Sequence, residues 1–71
     1  MIQIKTIKIQ HGRVIAEETS DTLNTDFLET VAVVQRNARR MYWDILDTPD
    51  GVIKTNRDGY IEIYSVRVIL D

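Results

Sequence analysis

The chain has 71 residues, nine Lys plus Arg against eleven Asp plus Glu, a formal charge of −2 and no cysteine. That length gives one domain, since a second would need roughly 50 further residues. The absence of cysteine excludes a disulfide framework, a thiolate metal site and a cysteine nucleophile. Ile, Val, Leu and Phe make up 22 of the 71 residues, enough apolar material to leave the disordered class. A core of this size contributes only a few kcal/mol of net stability, so either the packing is efficient or a partner subunit adds surface. The N-terminal Met1-Ile2-Gln3-Ile4-Lys5-Thr6-Ile7-Lys8-Ile9 interrupts its apolar residues with polar ones. It lacks the apolar run of a membrane span or a signal peptide, and the expectation is a soluble, cytoplasmic protein with no membrane partner.

In chain order, residues 2–10 alternate Ile with Gln, Lys and Thr at the strand period. Their phase slips: Ile2 and Ile4 share one face and Ile7 and Ile9 the other. A bulge near Thr6 reconciles the two, as does a strand buried on different faces along its length. His11-Gly12 reads as a two-residue hairpin turn pairing Gln10 with Arg13, Ile9 with Val14 and Ile7 with Ala16. The texture then changes to helix-capping residues, with Ser20, Thr22 and Asn24 able to offer a side-chain oxygen. Asp26 and Glu29 lie near the positive end of the helix dipole. The predicted helix runs from about residue 23 to Leu46. Its stripe of Leu23, Phe27, Val31, Val34, Ala38, Met41 and Ile45 falls within an arc of about 80°, and Thr48-Pro49-Asp50-Gly51 ends it.

Val52-Ile53-Lys54-Thr55 and Tyr60 to Leu70 read as two more strands, joined by the polar connection Asn56-Arg57-Asp58-Gly59. Ile61, Ile63, Val66, Val68, Ile69 and Leu70 suit a central strand. The fold class is therefore α+β in the order ββαββ: a four-stranded mixed or antiparallel sheet with one long helix packed on one face. This element order resembles the β-grasp architecture of ubiquitin-like domains and the small immunoglobulin-binding domains of bacterial surface proteins. The resemblance implies first and last strands that run parallel in the centre, and it carries no site residue with it.

Catalytic chemistry needs a nucleophile, a base and an orienting group, or a metal cluster. The single histidine, His11, sits in the first turn, and Gly12, Gly51 and Gly59 belong to separate turns, so no glycine-rich phosphate loop exists. Asp44, Asp47 and Asp50 are closely spaced but lack the alternating ligands and closing glutamate of a calcium loop. The expectation is a non-enzymatic protein without metal or cofactor.

The charges are segregated. Glu17, Glu18, Asp21, Asp26 and Glu29 follow one another with no basic residue between Arg13 and Arg36. Caps and dipole partners account for acids near a helix start; a surface that engages a basic partner accounts for the unbroken run. A second cluster, Arg36, Arg39, Arg40 and Trp43, lies opposite or beside the core stripe. Arg39 is placed to stack on Trp43 and Arg40 to pair with Asp44 across one helical turn. An arginine-ringed tryptophan suits an interface hot spot or a nucleic-acid contact. The favoured function is a protein-binding modulator or inhibitor, similar in size and economy to small phage- or mobile-element-encoded inhibitors. Its acidic surface engages a basic, nucleic-acid-binding partner and competes with nucleic acid. The alternative is a nucleic-acid-binding module using the Arg36/Arg39/Arg40/Trp43 face, which overall acidity disfavours; a homodimer is compatible with either.

Overall fold

The computed structural model describes residues 1–22, 25–41, 44–47 and 51–70. The elements are β1 (Ile2–Gln10), β2 (Arg13–Thr22), α1 (Phe27–Arg40), β3 (Asp44–Asp47), β4 (Val52–Arg57) and β5 (Tyr60–Val68). One helix lies on a five-stranded sheet of order β2-β1-β5-β4-β3 in which every neighbouring pair is antiparallel. The class is α+β, but the sheet has five strands instead of four. The first and last strands are neighbours near the centre and run antiparallel, so the parallel central pair of the β-grasp topology is absent.

Two turns set the hairpins. His11 and Gly12 both have positive φ, 50° and 77°, as do Asp58 and Gly59 at 51° and 83°. Positive φ at both central positions is the geometry whose twist matches a hairpin, and glycine in second place lowers its cost. The second turn is thus two residues long, and Asn56 and Arg57 belong to β4 instead of the connection. In the first hairpin Gln10 pairs with Arg13 and Ile9 with Val14 as expected, but Lys8 then pairs with Ala16 and Ile7 with Glu17. Ile15 is the extra residue, so the bulge lies in β2 and not near Thr6.

β1 pairs with β5 without a slip from Ile2↔Val68 to Gln10↔Tyr60. Ile7 and Ile9 therefore stay on the face opposite Ile2 and Ile4, and the strand is apolar on different faces at its two ends. The helix covers the Ile2–Ile4 end. Ile2, Val34, Ile53 and Val66 form the buried cluster, with Ile4, Phe27, Val31, Ile45 and Tyr64 packed against it.

The helix is shorter than its apolar stripe suggests. It starts at Phe27 with Asp26 as N-cap, whose carboxylate accepts from the Glu29 N–H at 3.1 Å. Ser20 and Thr22 lie in β2 instead, and Leu23 and Asn24 fall outside the described residues. Phe27, Val31, Val34 and Ala38 face the sheet, while Met41 is the C-cap and is exposed. Ile45 reaches the same core from β3, as the partner of Thr55. Asp44–Asp47 pair with β4, which takes that segment from the helix, and Ile45 within it is a β-branched type that suits a pleated, half-buried surface. Among the described residues, no helix is long and apolar enough to cross a membrane.

Candidate functional site

β2 is an outer strand of the sheet, ten residues long, exposed throughout except at Ala16 and Thr22. The strand period distributes its acids. Glu17 and Asp21, opposite Ile7 and Gln3, lie on the sheet face away from the helix; Glu18, opposite Thr6, lies on the helix face. Each contact made by these acids is light. Glu18 Oε1 meets Lys8 Nζ at 3.1 Å, an exposed pair that raises the Lys8 pKa above its ordinary value. Gln3 Nε2 donates to Asp21 Oδ1 at 3.3 Å. All three acids remain solvent-exposed and form an acidic rim along the sheet edge. Asp26 and Glu29 are not on that strand: they occupy the N-terminus of α1, where Asp26 is the cap. The structure thus sets Glu17, Glu18 and Asp21 along one outer strand, on its two faces, and assigns Asp26 to the helix start.

The arginine cluster is partly realised. Arg36, Arg39 and Arg40 are exposed on α1, the last two in its final turn, where cations complement the helix dipole. Tyr42 and Trp43 fall outside the described residues, so the stacking of Arg39 on Trp43 has no geometry here. Asp44 opens β3, which removes the one-turn helical spacing expected between it and Arg40. Asp44 and Asp47 bound β3 and Asp50 lies outside the described residues; among the described residues no three of His, Cys, Asp and Glu gather as a metal site.

A third feature was missed in the sequence. Tyr60, Glu62 and Tyr64 alternate along β5 on the helix face, and both tyrosine hydroxyls donate to the Glu62 carboxylate, that of Tyr60 at 3.0 Å. Burial, reinforced by the Glu62 hydrogen bond, pushes both phenols above their ordinary pKa, Tyr64 most strongly. Tyr64 also closes a groove of about 320 Å³ between α1 and β1–β2, with Ile4, Thr6, Val34 and Ala38 in its lining. The signal was the Tyr-x-Glu-x-Tyr alternation: every second residue on a strand shares a face. No protein-family model, curated protein or solved structure matches the chain.

Proposed function

We propose that the protein is a small non-enzymatic binding module that takes a basic, extended segment of a protein partner along its β2 edge. Where that segment is the partner's nucleic-acid-binding part, occupancy competes with nucleic acid. The observation that supports this is the outer position of β2 together with its acids. An outer strand presents a row of backbone N–H and C=O groups to one side, the template for an added strand. Glu17, Glu18 and Asp21 flank that row on both faces with no basic residue between them along β2, and Lys8 of the neighbouring strand pairs with Glu18. Backbone pairing supplies affinity, and opposite-charge cross-strand contacts select lysine- and arginine-rich segments. The same reading puts the protein in the cytoplasm.

The test titrates the protein with a fluorescent, extended Lys/Arg-rich peptide at low and physiological salt. Binding should weaken as salt rises and be lost in the triple variant Glu17→Lys, Glu18→Lys, Asp21→Lys with circular dichroism unchanged. No binding at low salt, or binding that survives the triple variant, overturns the reading. A second reading has one observation in its favour, the exposure of Arg36, Arg39 and Arg40 on one side of α1, which suits phosphate contacts.

A further inference from the structure

The face of the sheet away from α1 carries a second apolar surface. Ile7 pairs with Ile63, and Ile9 pairs with both Ile61 and Val14, so these five side chains are contiguous across β2, β1 and β5. Val14 is 59% exposed and the four isoleucines are half-buried, with no helix above them among the described residues. On the helix side, by contrast, Lys8, Tyr60 and Glu62 occupy the positions beside these isoleucines along β1 and β5. Four of the ten isoleucines thus face a surface that α1 does not cover.

We infer that this face is covered by a second copy of the chain, stacked sheet on sheet about a two-fold axis running along the strands between β1 and β5. A two-fold interface must be self-complementary, and this surface is so in charge and shape. Across the middle of the sheet one row reads Glu17, Ile7, Ile63, Lys54. Rotation about that axis exchanges the two sides, setting Glu17 over Lys54 of the second copy and Ile7 over its Ile63. The next row reads Val14, Ile9, Ile61, Asn56. There Ile9 falls on Ile61 of the second copy, and the protruding Val14 falls on Asn56. Asn56, Lys54 and Ile61 line a groove of about 280 Å³, which receives the Val14 side chain. At the far end Asp21 comes beside Arg67 of the second copy. A two-fold running across the strands through the same row would instead stack Glu17 on Glu17 and Lys54 on Lys54, which charge opposes. Packing near alignment of the two sheets is the common arrangement of stacked sheets. It also leaves the backbone of both β2 edges open; because Glu17 and Asp21 serve both readings, the substitution that separates them is Lys54→Glu, which leaves every acid of β2 in place.

Sedimentation equilibrium of the intact chain across micromolar to millimolar concentration tests this. The expected mass is twice the 8.3 kDa of one chain. Lys54→Glu, at an exposed position, should weaken the dimer on the order of tenfold by setting two carboxylates together, and Glu17→Lys combined with Lys54→Glu should restore it. Ile61→Lys should give a monomer. An intact chain that stays monomeric throughout assigns the face to another occupant and overturns the inference. A dimer indifferent to Lys54→Glu, or one that the charge swap does not restore, overturns it as well. Because the Lys54 substitution touches no core residue, its outcome does not depend on whether Ile61→Lys folds.

Discussion

The ring of Phe27 lies directly on Gly51: a Cβ built on this glycine would sit 2.5 Å from Phe27 Cζ and 3.1 Å from the carbonyl oxygen of Val66. Gly51 also has φ +77°, a region in which a side chain is strained. The same residue anchors β5, because its carbonyl accepts from the Val66 N–H at 3.0 Å. Helix start, β4 start and central strand therefore meet at one glycine. Gly51→Ala should cost about 2 kcal/mol or more, combining backbone strain with overpacking. Phe27→Ala should cost ~3 kcal/mol as a core truncation. Urea melts of both single variants and the double variant check the contact: the double should lose less than the sum, because removing the ring makes room for the methyl. Additive losses would mean that the ring and the glycine do not meet.

Asp26 is the residue that starts α1, and its carboxylate accepts from the Glu29 N–H while its carbonyl accepts from the Thr30 N–H and hydroxyl. Asp26→Ala removes the side-chain cap and should cost about 1 kcal/mol; Asp26→Ser should recover most of it. Equivalent losses for both variants in chemical denaturation would show that charge near the dipole matters more than the cap.

How much of this was legible follows the physics of each segment. The positions of the two hairpins were, because His11-Gly12 and Asp58-Gly59 carry turn chemistry of their own, but not their details: the connection read as residues 56–59 is a two-residue turn, and the bulge at Ile15 moves the partner of Ile7 from Ala16 to Glu17. The face of α1 was also, from Phe27 to Ala38, because the helical period repeats there often enough to be unambiguous. β3 was not. Ile45 continues the i+4 stripe from Met41, and a helix and a short strand both deliver it to the core, so periodicity cannot distinguish them over four residues. The pairing partner that decides, β4, is distant in sequence. At the candidate site the run of acids was visible, but which of them share an edge depends on where β2 stops and α1 begins. The Tyr60–Glu62–Tyr64 set was hidden by counting the apolar residues of β5 without separating its two faces.

Nucleic-acid binding through α1 makes a distinct prediction. If Arg36, Arg39 and Arg40 meet phosphates, replacing all three by Gln should weaken binding to any single strand or duplex. The salt slope should also fall by roughly one unit for each phosphate that is no longer neutralised. Electrophoretic mobility shifts at several salt concentrations measure this. An intact protein that shifts no nucleic acid at low salt eliminates this second reading and leaves the β2 edge.

The polar end of the helix face makes stability fall in alkali. Lys8 holds its proton above the ordinary 10.5 through its hydrogen bond and charge pairing with Glu18. Tyr60 and Tyr64 hold theirs above the ordinary 10.0, first because burial disfavours the phenolate and then because their hydroxyls donate to Glu62. All three shifts have the same sign. Below pH about 10 both folded and unfolded chains keep these protons, and the stabilisation is whole. Above that, the unfolded chain releases protons that the native chain retains, so stability declines as pH rises through the window between unfolded and folded values. Tyr64, the most strongly shifted, should dominate the decline. Ultraviolet titration of the native protein should show Tyr60 and Tyr64 ionising later than in urea. Tyr64→Phe should flatten the alkaline loss of stability, and Glu62→Gln should lower the pH at which the remaining phenols ionise by removing the negative charge beside them. Native tyrosines that titrate together with those of the unfolded chain would mean that the Tyr60–Glu62–Tyr64 network does not form.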